Sequence, residues 1–253
     1  IVDSINYAKF IQTAILPSTK RIKNHFKDAF VFYRPKDIVS GDFYWYGEVN
    51  GKQIIAALDC TGHGVPGAFM SMIGNTLLNQ IVLRDKITKP NEILFKLRQE
   101  VIKALSQSNI EEENENDTRK DGMDIALCVI EKNKIEFSGA FNPLILVKKG
   151  EGFQVKADRM PIGDYLDKNN QPFQNHIYDI EKGDVVYLFT DGYPDQFGGE
   201  YDKKIGSKVF REMLIDISIQ SAEQQEKHLE KYIKTWMGET PQIDDMLIIG
   251  MKF

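Results

Sequence analysis

Residues 43–59 constrain the fold more than any other stretch, because they have the pattern of two strands joined by a two-residue turn. The first run, FYWYGEV, is rich in aromatic residues, the second, KQIIAALD, is largely apolar, and Asn50-Gly51 stands between them. Asn-Gly suits a type I′ hairpin turn because both residues tolerate a positive φ. The sequence therefore predicts a β-hairpin and, with it, an antiparallel sheet.

The remaining chain combines further β-rich runs with two pairs of amphipathic helices. Short strands joined by hairpins, with helices grouped in pairs, favour an α+β fold of antiparallel sheets flanked by helices. The predicted strands are 29–33, 124–131, 133–140, 143–150, 153–157, 176–180, 184–190 and 245–253. The predicted helices are 66–81, with Phe69, Ile73, Leu77 and Ile81 on one face, 90–106, 203–218 and 221–237.

The N-terminal residues 1–16 predict a separate helix that ends before Pro17. Its apolar residues recur three or four positions apart, as Ile1, Ile5, Ala8, Ile11 and Ile15. We expect residues 1–22 to form a linker or regulatory helix from an upstream module, and residues 23–253 to form one domain. The alternative is a helix that simply packs on its own domain. Because the chain starts without Met, we expect it to be a fragment of a longer protein.

Composition excludes several classes of protein. Residues 109–121 contain six acids and two bases, which accounts for −4 of the net charge of −5. The near-neutral remainder argues against a nucleic-acid binder, and the acidic stretch predicts a mobile loop. Two cysteines are too few for a disulfide scaffold. No apolar run approaches about 18 residues, so we expect no membrane span in this fragment and a cytoplasmic location.

Four aspartates share an unusual context, because each sits where an apolar strand meets a flexible turn. They are Asp42, Asp59, Asp191 and Asp244. Any one of them alone has the features of a turn residue. Several carboxylates gathered on one rim would repel each other unless cations neutralised them, and Mg²⁺ or Mn²⁺ are the ions that oxygen ligands favour. From spacing alone, turn residues and metal ligands both remain open.

Four motifs in this order carry a family resemblance: VSGDFYWY, LDCTGHGVPGAFMS, LFTDGYPDQFGG and IDDMLIIG. Together they resemble the PPM (protein phosphatase 2C-like) superfamily and, within it, the bacterial SpoIIE-type serine/threonine phosphatases, over about residues 28–253. The resemblance implies a sandwich of two antiparallel β-sheets flanked by pairs of α-helices. It also implies removal of phosphate from Ser or Thr of a protein, typically an anti-sigma-factor antagonist, under control of an upstream sensor module.

The same resemblance implies a site that holds two Mn²⁺ or Mg²⁺ ions, bridged by an aspartate and a water. Asp59 would be the bridging ligand, and Asp42 would serve the second ion. Asp191 and Asp244 would hold the first ion. Cys60, which follows the bridging acid, would contribute its main-chain carbonyl oxygen rather than its sulfur.

Some positions depart from the wider family. His63 lies further from the bridging acid than the family histidine, so a general-acid role competes with that of a turn histidine. Asn142 stands where some members have an acid for a third ion, and we hypothesise that Asp124 replaces that carboxylate; a turn or substrate-loop role is the alternative. Arg34 is a candidate for binding substrate phosphate, or an ordinary arginine at a strand end.

The rival function is a catalytically silent interaction module that kept the fold and lost turnover. Against it, all four core acids are present. A glycine-rich nucleotide-binding domain is disfavoured, because neither G-x-x-x-x-G-K-[ST] nor G-x-G-x-x-G follows a strand. The expected partners are a phosphorylated protein, the upstream module and, through the N-terminal helix, a second copy of the chain.

Overall fold

A computed structural model describes residues 2–106 and 121–253, and within them the chain forms two antiparallel sheets. One sheet has the order β1-β13-β10-β6-β7 and the other the order β2-β3-β4-β5-β9, with β8 paired to the start of β4. The strands are β1 (Asp28–Arg34), β2 (Phe43–Val49), β3 (Lys52–Cys60), β4 (Gly122–Glu131), β5 (Lys134–Ala140), β6 (Leu144–Lys148), β7 (Glu151–Val155), β8 (Ile162–Gly163), β9 (His176–Asp179), β10 (Val185–Phe189), β11 (Phe197–Gly198), β12 (Lys203–Lys204) and β13 (Met246–Lys252).

The helices cover the outer faces of the sandwich. The inter-sheet core includes Tyr44, Ile55 and Leu247, while separate cores bury α3 and α4 against one sheet and α6 and α7 against the other. The predicted α+β sandwich flanked by helix pairs is therefore confirmed. The helices are α1 (Val2–Ile15), α2 (Thr19–His25), α3 (Gly64–Leu78), α4 (Pro90–Ser106), α5 (Gly192–Asp195), α6 (Ser207–Ile217) and α7 (Ala222–Met237).

The predicted hairpin is confirmed. Strands β2 and β3 pair from Phe43↔Leu58 to Val49↔Lys52. The turn between them has φ of 53° at Asn50 and 77° at Gly51, as a type I′ turn requires. Because a strand alternates its faces, one face of β2 packs on the helices and the other on the second sheet. The hairpin thus fixes how β3 reaches the rim of the sandwich.

Helix α3 and the turn that follows it pack on the core through three of the four predicted face residues, because Ile81 is buried and Ile73 and Leu77 are partly buried there, but Phe69 departs from the pattern. Phe69 is 64% exposed, and the buried stripe includes Gly67, Ser71 and Gly74 instead. Small residues allow the helix to approach the sheet closely, and a Cβ at Gly74 would press on Phe43 and Met123. The apolar periodicity therefore indicates the core-facing side from Ile73 onward but not at Phe69, in the first turns of the helix. After Leu78 the chain continues as a π-helical turn over Asn79–Arg84.

Helix α6 begins at Ser207, four residues later than predicted. Lys203 and Lys204 pair instead with Phe197 and Gly198 as a short ribbon. Gly206 then adopts a φ of 84°, which is outside the helical region. The sequence analysis also missed α2, α5 and β8, which are short elements without a full period of apolar residues.

Helix α1 forms as predicted, but its most buried residue is polar. Ile5, Ala8 and Ile15 are half-buried and Ile11 is 37% exposed. Gln12, which is 6% exposed, donates to the Ser40 carbonyl oxygen (2.6 Å) and to Ser71 Oγ (3.0 Å), and it accepts from the Ser40 amide (3.1 Å). The helix is thus hydrogen-bonded to the segment that enters β2.

Four further expectations have simple outcomes. The predicted loop at 109–121 lies outside the described residues except for its last position. Cys60 and Cys128 are buried free thiols. Among residues 2–106 and 121–253, no helix combines the length and the hydropathy needed to cross a membrane. Helix α2 crosses the predicted boundary at residue 22, and Ile22 lies in the inter-sheet core.

Candidate active site

The four strand-end aspartates come together on one rim, where the two sheets of the sandwich meet. Asp59 is the penultimate residue of β3, and Asp124 lies directly opposite it on β4. Asp191 follows β10 and Asp244 precedes β13, and these two strands are neighbours in the other sheet. We call Asp42, Asp59, Asp124, Asp191 and Asp244 the carboxylate cluster.

Asp59 is the centre of this cluster. Its carboxyl group lies within hydrogen-bonding reach of those of Asp42 and Asp191. Burial raises the pKa of Asp59 to about 8, and the negative charges of Asp191, Asp244 and Asp124 add to the shift. The pKa of Asp191 is raised by burial and by the charge of Asp244. The cluster is therefore an array of mutually repelling carboxyl groups.

Asp42 is the most deeply buried member, with 2% of its surface exposed. Burial and the charge of Asp59 raise its pKa well above the usual range, and a hydrogen bond from Thr190 opposes the shift. Thr190 Oγ1 donates to Asp42 Oδ2 (2.6 Å) and accepts from the Leu247 amide (3.1 Å). The sequence analysis missed Thr190, although it directly precedes Asp191 in the LFTDG motif.

Asp245 holds the loop that carries Asp42. Its carboxylate accepts from the backbone amides of Lys36 (2.8 Å), Gly41 (2.8 Å) and Asp42 (3.4 Å). Its own amide donates to Asp244 Oδ1 (2.8 Å), which partly offsets the rise that burial causes in the pKa of Asp244. This acid is 2% exposed, so it acts as a buried anchor for the loop.

Three glycines bring the Asp42 loop against the turn after β3. A Cβ on Gly41 would lie 2.5 Å from the Gly62 carbonyl oxygen and 3.3 Å from that of Cys60. A Cβ on Gly67, in the first turn of α3, would overlap the same Gly62 oxygen. Gly62 itself has a φ of 84°, which side chains rarely tolerate. The small residues that follow Asp59 thus permit close approach of three backbone segments.

The accessory candidates are placed differently from one another. Burial, with a smaller contribution from Asp191, raises the pKa of Asp124 to about 7. His63 precedes α3 with its side chain exposed, and its Nδ1 lies 2.7 Å from Asp37 Oδ2. Arg34 Nε donates to Gln242 Oε1 (2.9 Å), so its contact is with the segment before Asp244. Burial raises the pKa of the Cys60 thiol, which disfavours a thiolate nucleophile.

The donor atoms suit hard divalent cations. The cluster offers carboxylate oxygens, and the Cys60 carbonyl oxygen lies beside Gly41 at its edge. Oxygen-only donors are the ligands that Mg²⁺ and Mn²⁺ select. Within the described part of the chain, no three His, Cys, Asp or Glu side chains already surround one metal position. The chemistry of the site thus fits these ions, while the side chains do not form a closed coordination shell.

The fold and this acidic rim define a phosphatase domain of the PPM, or protein phosphatase 2C-like, class. The family model for stage II sporulation protein E (SpoIIE) matches residues 50–253. The SiaA-PP2C domain of Pseudomonas aeruginosa is 31% identical, with a TM-score of 0.87, and the match covers 99% of this chain and 96% of that one. The chain therefore belongs to the SpoIIE family.

More distant structures share the fold. The PP2C domain of Bacillus subtilis SpoIIE, solved with a fragment of its regulatory domain, matches with a TM-score of 0.66 at 15% identity, covering 89% of this chain and 63% of that one. The RsbU and RsbW domains of a Mycobacterium tuberculosis protein match with a TM-score of 0.64 at 16% identity, covering 89% and 60%. Comparison with curated protein sequences gives no significant match.

The raised pKa of Asp59 predicts how stability of the metal-free protein depends on pH. Between about pH 4 and pH 8 the folded protein retains a proton on this group that the unfolded chain has lost. The free energy of unfolding therefore falls as pH rises through this window. We expect Asp59→Asn to raise the free energy of unfolding at pH 8 by about 1–3 kcal/mol, measured by urea titration in EDTA.

Asp202→Asn, at an exposed turn, is the matched control and should leave the pH dependence as it is in the parent. Saturating Mn²⁺ should flatten the dependence in the parent, because a bound cation favours the ionised carboxylates. A free energy of unfolding that rose between pH 5 and pH 8 in EDTA would contradict this assignment.

Proposed function

We propose that the protein is a metal-dependent serine/threonine phosphoprotein phosphatase. The observation that carries the proposal is the grouping of acids around Asp59, which lies opposite Asp124 on the neighbouring strand and whose pKa is raised by the charges of Asp191 and Asp244. Acids grouped around a common carboxyl group are suited to holding divalent cations. Burial and mutual repulsion give the metal-free cluster a cost that cations would remove.

The ligand roles in the proposal follow the cluster. Asp59, Asp42, Asp191, Asp244 and the Cys60 carbonyl oxygen would hold two Mn²⁺ or Mg²⁺ ions, with Asp191 and Asp244 serving the first ion, Asp42 the second and Asp59 both. When bound, such ions would supply a water of lowered pKa and would offset charge on the phosphoryl oxygens. One related protein of the same fold, RsbX, is described in complex with magnesium.

The other residues of the rim position these ligands. Thr190 donates to one oxygen of Asp42 and so restricts the orientation of this carboxyl group. Asp245 fixes the backbone of the Asp42 loop through three amides. His63 and Asp37 contact each other through exposed side chains. In the proposal His63 is a turn residue and transfers no proton. In the proposal Arg34 holds the segment before Asp244 through Gln242 and does not bind substrate phosphate.

A catalytically silent interaction module is the second candidate. The observation that favours it is the lack, among the described side chains, of three metal-binding groups already arranged around one position. Against it stands the complete set of core acids, which serves no purpose in a fold that binds only proteins. Direct binding of Mn²⁺ separates the two candidates.

The regulatory context is also part of the proposal. One structure that matches this fold contains RsbU and RsbW domains in a single chain. Another comes from a study of the bacterial stressosome. We propose that residues 1–22 connect an upstream sensor module to the phosphatase domain at 23–253, in a cytoplasmic signalling protein. The substrate would be a phosphorylated protein such as an anti-sigma-factor antagonist.

Helix α1 offers a surface for the upstream module or for a second copy of the chain. Val2, Tyr7 and Phe10 expose 62–69% of their surface, and Phe69 of α3 exposes 64%. The opposite side of α1 is hydrogen-bonded through Gln12 to Ser40, two residues before Asp42. A partner that moved α1 would therefore act directly on the loop that carries a metal ligand.

The first test is hydrolysis of a phosphoserine or phosphothreonine peptide with and without Mn²⁺. We expect turnover only with the metal, and a loss of about 100-fold or more in kcat in Asp59→Asn and Asp191→Asn, the scale of removing one electrostatic group from a catalytic site. Circular dichroism checks folding, and Asp202→Asn should retain parental turnover.

Absence of turnover would be followed by calorimetric titration with Mn²⁺. A parent that neither hydrolysed the peptide nor bound Mn²⁺ would establish the silent module in place of the enzyme. Binding without turnover would point to a phosphatase that needs its upstream partner for activity.

The role of Asp124 can be tested separately. If it supplies a carboxylate to an additional ion, Asp124→Asn should raise the Mn²⁺ concentration for half-maximal activity about 10-fold or more, the scale for loss of a supporting carboxylate. The measurement is activity as a function of Mn²⁺ concentration, alongside Asp202→Asn. An unchanged Mn²⁺ dependence would remove Asp124 from the metal site.

The role of α1 can be tested with Gln12→Ala and with deletion of residues 1–16. Gln12→Ala leaves the Ser40 amide and carbonyl without their side-chain partner, at a cost of about 1–3 kcal/mol in the free energy of unfolding. We also expect altered specific activity, because the Asp42 loop loses its anchor. Thr13→Ala, on the exposed side of α1, is the control. Unchanged activity and oligomeric state in both the variant and the deletion would count against a regulatory helix.

A further inference from the structure

The pairing of β10 with β13 ends before it reaches Asp191 or Asp244. Beyond the paired strands, the Thr190 amide still donates to the Leu247 carbonyl oxygen (3.0 Å). Asp191 is the residue before α5, and Asp244 lies in the segment that leads into β13. Contacts outside the sheet must therefore set the spacing of these two acids.

Gly192 allows the segments that carry the two acids to touch. A Cβ on Gly192 would overlap the Asp245 carbonyl oxygen and would lie 3.4 Å from the Cβ of Asp244. The start of α5 is thus packed directly on the backbone before β13. Close approach alone does not hold the two segments in register, because glycine has no side chain to bond across the contact.

Gln196, the residue after α5, supplies that bond. Its side chain is fully buried. Its Nε2 donates to the carbonyl oxygens of Pro241 (3.0 Å) and Phe197 (3.0 Å), and its Oε1 accepts from the amide of Ile243 (3.1 Å). Ile243 directly precedes Asp244. The carboxamide therefore joins the end of α5 to the segment that carries Asp244.

The backbone of Gln196 is also held on several sides. Its carbonyl oxygen accepts from Trp236 Nε1 (3.1 Å) at the end of α7 and from the Ile205 amide (3.2 Å). Its own amide donates to the Tyr193 carbonyl oxygen (3.3 Å) within α5. The side chain thus extends from a fixed backbone position, so it can transmit that position to the segment before β13.

We propose that Gln196 is a positioning residue that sets the spacing of Asp191 and Asp244, and thereby the affinity of the carboxylate cluster for the first of its two cations. The proposal rests on the proposed function, which assigns both acids to that ion. Asp191 and Gln196 flank the single turn of α5, and Ile243 joins Gln196 to Asp244. Residues that hold metal ligands in place commonly change metal affinity 10-fold to 100-fold when they are replaced.

Gln225 of α7 allows this role to be separated from a contribution to stability alone. It is 1% exposed, accepts from the Tyr187 hydroxyl (2.6 Å) and donates to the carbonyl oxygens of Gln220 (3.0 Å) and Ser218 (3.5 Å). None of these partners lies within two residues of an acid of the carboxylate cluster. Alanine at either glutamine leaves buried partners unpaired and should lower Tm, but only the change at Gln196 should alter metal binding.

The test is calorimetric titration with Mn²⁺, with folding checked by circular dichroism. We expect Gln196→Ala to raise the Kd for Mn²⁺ about 10-fold or more, while the matched control Gln225→Ala keeps the parental Kd. Gln196→Met has a side chain of similar length without a carboxamide. It should weaken Mn²⁺ binding as Gln196→Ala does, because the hydrogen bonds rather than the filled space hold the segment.

Hydrogen exchange in EDTA tests the same contact without the metal. The Ile243 amide loses its acceptor in Gln196→Ala, so its exchange should be faster than in the parent, whereas Gln225→Ala should leave it unchanged. The measurement is mass spectrometry of peptides that span residues 238–246. Unchanged exchange in this segment of Gln196→Ala would overturn the proposal.

Parental Mn²⁺ affinity in Gln196→Ala or Gln196→Met, or an equal loss of affinity in Gln225→Ala, would also overturn the proposal. A parent that bound no Mn²⁺ would reject the proposed function and, with it, the role of Gln196 in metal binding. Hydrolysis of the phosphopeptide reports separately on the enzyme. Mn²⁺ binding that weakens in both Gln196 variants, in a protein without turnover, would sustain the positioning role and leave the enzyme without support.

Discussion

Electrostatic repulsion among closely grouped carboxyl groups is the constraint on which the rest of this structure depends. Asp42, Asp59, Asp124, Asp191 and Asp244 are drawn from strand ends of both sheets and share one rim. Burial raises the pKa of Asp59 to about 8 and that of Asp124 to about 7, and the neighbouring charges add to each shift. Such an arrangement opposes folding unless cations occupy it. Packing alone would not select such an arrangement, which is why the proposed function places cations here.

The surrounding residues do not neutralise the charges of the carboxylate cluster. They fix the backbone segments that carry its acids. The Asp245 carboxylate accepts hydrogen bonds from three backbone amides of the loop before β2. Thr190 contacts Asp42 from the other sheet. The glycines at 41, 62 and 67 permit three backbone segments to touch. None of these residues needs to contact a substrate, and each restricts where an acid of the carboxylate cluster can lie.

The sequence predicted the parts of this site that depend on local pattern. The run IIAALD places Asp59 at the end of a strand, and Asn50-Gly51 fixes the hairpin that delivers it. Thr190, Asp245 and Gln12 could not be assigned roles in this way, because their partners lie 28 to 209 residues away in the chain. Phe69 is exposed although Ile73, Leu77 and Ile81, on the same predicted face, pack on the core. Helical periodicity does not show where along a face the contact with the sheet begins.

The hydrogen bond between Thr190 and Asp42 has a mechanical consequence. It crosses from the strand end of one sheet to the loop of the other, and the acids of the rim are divided between the same two sheets. A slide of one layer over the other by a fraction of an ångström would change every distance between these two groups of acids. Binding of a cation by the carboxylate cluster would consequently depend on how the two sheets are aligned. A cation held there would also cross-link the two sheets of the sandwich.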